Sequence, residues 1–238
     1  MNRTLIPIML LNFFQWSVSI LIILFTVCLT SHLDASQNII RTSNISINKQ
    51  TKTIHIQSRL AIKNGILEYF LVGEQGKTYE SVFKVSENKP SDLNFALLLI
   101  GCEPLNYQTF CEINSQKNAF EILTQHHKKS LVKISVLYKN KRIKMKQLLK
   151  NRENQEHQFC WVYTGGYFLK DNHYAGDIEL SFIGIWADRT SVLNLCSQLK
   201  NPYQGNYGYE IAVDPEKMAI NSEVEIVIER RIHKKSEK

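Results

Sequence analysis

The sequence predicts an α+β fold: a mostly antiparallel or mixed β-sheet with one main packed helix and a short second helix, preceded by an N-terminal transmembrane or signal segment. Three observations carry this reading. An apolar run, Leu5 to Leu29, follows Arg3. Apolar residues then alternate with polar ones from Ile45 to Ile62, the period of a half-buried strand. One later stretch, Leu93, Ala96, Leu97 and Ile100, switches to helical spacing.

The N-terminal run is interrupted only by Asn12, Gln15 and a few hydroxyl residues, and about 20 apolar residues suffice to cross hydrocarbon. Its strongest part, Ile20 to Leu29, has the length of a signal-peptide core. Either reading exports the rest of the chain. Arg3 before the run and Asp34 after it place the N-terminus on the cytoplasmic side. Residues 1–35 are therefore read as signal peptide or membrane anchor, and residues 36–238 as one domain. With 238 residues, 44% of them hydrophobic, there is enough material for one core.

The formal charge of +7 is spread over small groups, at His126 to Lys129, Lys139 to Lys146 and Arg230 to Lys235. No nucleic-acid-binding motif accompanies them, so the charge reads as a solvated surface. The expected partners are the membrane, through the N-terminal segment, and a protein or polymer of the cell envelope.

Each element follows in order. Ile45, Ile47, Ile54, Ile56, Leu60 and Ile62 surround the turn-like Asn48 to Lys52, which predicts a hairpin. A second hairpin is expected from Gly65–Val72 and Lys77–Val85 around Gly73-Glu74-Gln75-Gly76, with glycines accepting positive φ. If Val72 faces Lys77 there, Glu68 lies opposite Ser81 and Glu80 points to the other face, so the two carboxylates do not cooperate. In KPSDLNFALLLIG, Ser91 suits a helix N-cap, Asp92 its positive end, and Gly101 its stop.

GILEYFLVGEQGKTYESVF and KPSDLNFALLLIG, with the later WVYTGGYF, IELSFIGIWAD and NPYQGNYGYE segments, resemble the YdjY-domain family of bacterial exported proteins. The resemblance covers roughly residues 45 to 228 and implies an exported domain without an established reaction or catalytic set. Strands are expected at Leu131–Tyr138, Phe159–Leu169, Ile178–Ala187 and Val224–Glu229, a basic helix at Lys144–Lys150, and a polar linker at Asn151–Gln158. The DNHYAGD segment has oxygen donors and a glycine but Phe182 at the twelfth position, so it reads as a hairpin turn and not a calcium loop.

Chemistry is sparsely marked. Cys102, Cys111, Cys160 and Cys196 allow three disulfide pairings or none, and no Cys-x-x-Cys pair exists; no cofactor or metal site is read. Phosphate-loop, nucleophile-elbow and zinc-protease signatures are absent from the sequence. Glu68, Glu80, His173 and Asp177 are the candidate acid/base groups, and Tyr203, Tyr207 and Tyr209 the candidate ligand-binding aromatics. Two functions fit: a noncatalytic extracytoplasmic binding or assembly module, or a cell-envelope hydrolase assembled from those carboxylates and His173.

Overall fold

The computed structural model describes residues 38–153, 159–197, 200–212 and 218–231. The segment read as signal or anchor lies outside them, as do residues 154–158 of the expected linker. Among the described residues, no helix is long and apolar enough to cross a membrane.

The strands are β1 (Ile39–Arg41), β2 (Ile45–Asn48), β3 (Thr53–Leu60), β4 (Ile66–Leu67), β5 (Tyr69–Gly73), β6 (Ser81–Val85) and β7 (Leu131–Tyr138). They continue as β8 (Lys141–Ile143), β9 (Leu149–Asn151), β10 (Cys160–Tyr163), β11 (Ser181–Gly184), β12 (Leu193–Cys196), β13 (Tyr209–Ile211) and β14 (Glu223–Arg230). The helices are α1 (Pro90–Leu99), α2 (Tyr107–Asn114), α3 (Ala119–His126) and α4 (Ala175–Glu179). The fold is α+β as expected, but the sheet closes on itself. Eight strands run in the order β3-β14-β7-β10-β12-β11-β5-β6, and β6 returns to β3. A smaller sheet has the order β4-β13-β9.

Closure depends on how β3 divides one edge. Its first half pairs with β2, with Ile47 opposite Ile54, and its last residues pair with β6, with Leu60 opposite Phe83. The opposite edge is occupied throughout by β14, from Glu223 opposite Arg59 to Glu229 opposite Thr53. Backbone donors and acceptors are therefore used on both sides, and the barrel leaves no open edge at this strand. Asn88 locks the seam: its carbonyl oxygen accepts the Asn44 amide at 2.7 Å, and its amide group donates to Thr42 Oγ1 and Asp92 Oδ2 at 2.9 and 3.0 Å.

The first hairpin forms as the alternation requires, with Ile45, Ile47, Ile54 and Ile56 buried. The second does not. Strands β5 and β6 are parallel, with Tyr69 opposite Ser81 and Gly73 opposite Val85. The chain returns through Glu74–Lys77 and a 3₁₀ turn, Thr78–Glu80, before β6 begins. Both flanks of β5 are needed inside the barrel, β11 on one side and β6 on the other, and this requirement overrides the local glycine signal. Gly73 and Gly76 serve close approach instead: a Cβ on either would stand 3.0 and 3.1 Å from Leu180 Cβ. The expected antiparallel register of Glu68 and Glu80 is thereby corrected as well.

Helix α1 lies where the spacing put it, but it starts at Pro90 after Lys89, and Ser91 is not its N-cap. Asp92 accepts the Lys89 amide at 2.9 Å. Proline at the first turn costs nothing, because that N–H has no helical partner. The expected basic helix is only a 3₁₀ turn, Met145–Gln147, followed by β9, and the expected strand beginning at Ile178 is the end of α4 followed by β11. The strand expected at Phe159–Leu169 ends at Tyr163, and β12, α2 and α3 had no counterpart in the periodicity reading.

Two cores flank the barrel wall. Phe70 on β5 meets Trp161 on β10 at 5.2 Å between ring centroids. These strands are separated by β11 and β12, so the contact crosses the interior. Phe83 adds an edge-to-face contact with Phe70 at 5.3 Å. Side chains alternate along β10, so Cys160 and Val162 face outward, where they pack with Phe110, Ile113 and Leu123 of α2 and α3. The four cysteines of the described region are free thiols. Burial pushes Cys102 and Cys160 up to about 11 and Cys196 up to about 12.

Replacing Trp161 by alanine empties the barrel centre and is expected to cost about 3–5 kcal/mol. Urea unfolding followed by circular dichroism checks this, and a loss below about 1 kcal/mol would show that the Phe70–Trp161 contact is not central to stability.

Candidate functional site

The chain changes sheets at Glu68. Strand β4 pairs with β13 in the small sheet, and one residue later β5 enters the barrel between β11 and β6. The backbone of Glu68 is held from both sides: its amide donates to Glu80 O at 3.0 Å, and its carbonyl accepts the Ile185 and Trp186 amides at 2.8 and 3.0 Å. Parallel pairing sets Tyr69 opposite Ser81, so the preceding residues, Glu68 and Glu80, become neighbours.

Their side chains meet. Glu68 is half-buried, Glu80 is buried, and the two carboxyls are close enough that each charge is felt by the other. Tyr203 reaches in from the loop before β13 and donates its hydroxyl to Glu80 Oε2 at 2.8 Å. Lys77 lies 4.0 Å from Glu80 Oε1 and donates to the Tyr69 hydroxyl at 3.4 Å. Asp188 lies close enough to Tyr69 for its charge to bear on the hydroxyl. Asp188 accepts the Thr190 amide and hydroxyl at 2.9 and 2.7 Å, and buried Asn194 accepts its amide at 2.8 Å. Glycine is needed at position 184 beside this network, where a Cβ would come within 2.8 Å of Asn194 Oδ1.

Three carboxyl groups around one lysine leave an excess of negative charge. Burial raises the Glu68 pKa first, and the charge on Glu80 adds to it; Lys77 opposes, while Asp188 reinforces the rise. Glu68 thus holds its proton more tightly than an ordinary glutamate does. Burial also pushes the Tyr69 and Tyr203 hydroxyls up, assisted by Asp188 and Glu68 at Tyr69 and by Glu80 at Tyr203, so both remain donors.

The other candidates go elsewhere. Asp177 on α4 accepts the Ser91 amide and hydroxyl at 2.8 and 2.7 Å, closing the N-terminus of α1. His173 is an exposed turn residue 2.8 Å from Asp171, whose carboxyl is held below its ordinary value by hydrogen bonds from His173. Tyr207 lies beneath Lys200, 4.7 Å from ring centroid to ammonium, and Tyr209 is buried in β13. Of the seven candidates, Glu68, Glu80 and Tyr203 converge. Tyr69, Lys77 and Asp188 complete the cluster and were not singled out; Asp188-Arg189-Thr190 carries the signal of a side-chain-closed turn, but nothing local ties it to Glu68.

The cluster reaches the surface at its tyrosines. Polar hollows of about 190 and 490 Å³ lie elsewhere, around Arg59 and Lys84 and around His126 to Ser130, and include none of the cluster. Tyr79, next to Glu80 in the chain, and Tyr203, bonded to Glu80, are 70% and 54% exposed. Among the described residues, no group of three His, Cys, Asp or Glu side chains is arranged to hold a metal ion.

The raised Glu68 pKa makes its protonated form the one that stabilises the fold. That stability is complete below the ordinary glutamate value and declines as pH rises through the higher folded value. Glu68→Gln, a permanently neutral donor, should therefore melt above wild type at about pH 8 and match it at about pH 4. Melting curves at the two pH values decide; a variant less stable at the higher pH would mean that Glu68 acts as a charged partner.

A sequence profile described as the YdjY domain matches residues 45–185, more than half of the chain. The matched span contains Glu68, Tyr69, Lys77 and Glu80, whereas Asp188 and Tyr203 come after it. No match was found among curated proteins or among solved structures. The chain belongs to the YdjY domain family.

Proposed function

We propose that the chain is a membrane-targeted, extracytoplasmic binding module whose contact face is formed by Tyr79, Tyr203, Glu68 and Glu80. The observation that carries this reading is the pairing of two exposed tyrosines with a carboxyl pair already held by internal partners. Tyrosines present a flat apolar face with a polar tip, suited to the ring of a sugar or a peptide side chain, at little conformational cost. Glu80 is occupied by Tyr203, and Asp177 by Ser91, which leaves few groups to move protons on a substrate. The apolar run from Leu5 to Leu29 supports placement at the envelope, with a glycan or protein of that compartment as ligand.

One observation favours hydrolysis as a second reading. A general acid requires a raised carboxyl pKa, and burial together with the acidic neighbour Glu80 raises that of Glu68. His173 and Asp177 do not join it.

Titrating the detergent-solubilised chain with soluble cell-wall glycan fragments, followed by tyrosine ring resonances, tests the binding reading. Tyr203→Ala combined with Tyr79→Ala is expected to weaken binding about tenfold or more without releasing product from the fragments. Unchanged affinity would remove the two tyrosines as the contact face, and product release abolished by Glu68→Gln would establish the hydrolase instead.

A further inference from the structure

Helix α1 buries Leu93, Ala96 and Leu97 but turns Phe95 and Leu98 outward, 55% and 49% exposed. These two residues are three apart and share one flank of the helix. The Asp177–Ser91 hydrogen bonds hold α4 against α1, and on α4 the residue after Asp177 is Ile178, 58% exposed. Two adjoining helices therefore offer three large apolar side chains to solvent, a concentration that calls for a partner.

The point at which the chain enters the domain narrows the choice. Asn88 binds Thr42 and Asn44 on one side and Asp92 on the other, so the connection between β1 and β2, close to where the chain enters the domain, is fastened beside the first turn of α1. From Pro90 to Leu98 the helix advances only about 12 Å. In the sequence, the apolar run ends at Leu29, and residues 30–38, which precede β1, span at most about 30 Å when fully extended. A domain on so short a tether faces the bilayer at high effective concentration, and a few apolar side chains then suffice to dock it.

We propose that the face formed by Phe95, Leu98 and Ile178 rests on the surface of the lipid bilayer that holds the Leu5–Leu29 segment. The proposal depends on the membrane-targeted reading above. Phe95 and its neighbours enter the headgroup and upper acyl region, as the apolar side of an interfacial helix does, and the barrel is held in one orientation instead of swinging on its tether.

The test uses the full chain reconstituted in phosphatidylcholine–phosphatidylglycerol vesicles with brominated acyl chains. A tryptophan at Phe95 (F95W) reports on the face, and one at the exposed Glu121 of α3 (E121W) serves as control. The expected result is vesicle flotation with the added F95W emission quenched at least about twofold more than that of E121W, lost again when Leu98→Ser and Ile178→Ser are added. Flotation with equal quenching of the two reporters overturns the docking while leaving the anchor intact. A chain that does not float overturns both. Quenching replaced by F95-dependent crosslinking between copies overturns the lipid proposal in favour of a dimer.

Discussion

The parallel pairing of β5 and β6 is the constraint on which the rest of the structure depends. A parallel pair with so short a return is unusual, since such strands ordinarily need a long crossover. Here the 3₁₀ turn at Thr78–Glu80 brings the chain back, and β6 then closes onto the end of β3. Closure satisfies backbone groups that an open sheet would leave exposed, and it encloses Phe70, Phe83 and Trp161 in one interior. The same pairing sets Glu68 beside Glu80. Fold and site therefore share one cause: an antiparallel hairpin would open the barrel and separate the carboxyls.

Around that pairing, polar side chains act as fasteners at places where the backbone has run out of regular partners. Asn88 joins the start of β2 to the start of α1, Asp177 closes α1 from a different helix, and Asn194 holds the turn that positions Asp188. Each is buried or half-buried and hydrogen-bonded at both ends, as a polar group removed from water must be. This explains why residues with the look of acid/base chemistry turn out to have structural partners. A carboxylate that accepts two donors at a helix start is already committed. Glu68 differs because burial and, after it, the neighbouring Glu80 carboxyl raise its pKa, an effect of the folded surroundings and not a local property of the residue.

What the residues alone determined is the part governed by short-range periodicity and by composition. Alternation from Ile45 to Ile56 set the first hairpin, the stripe through Leu93, Ala96 and Leu97 set α1, the strand at Leu131–Tyr138 was legible to the residue, and the motif resemblance identified the family. Tertiary structure alone decided the rest. Gly73 and Gly76 carry a turn signal, but the steric demand of Leu180 and the two-sided pairing of β5 outweigh it. The helices between Leu105 and His126 exist because they cover the outer face of β10, which no local pattern announces. The cluster of Glu68, Glu80, Asp188 and Tyr203 draws on segments more than a hundred residues apart, so its chemistry appears only after the barrel has closed. Local sequence encodes which face of a segment is apolar; which other segment that face meets is settled by the global burial of those faces.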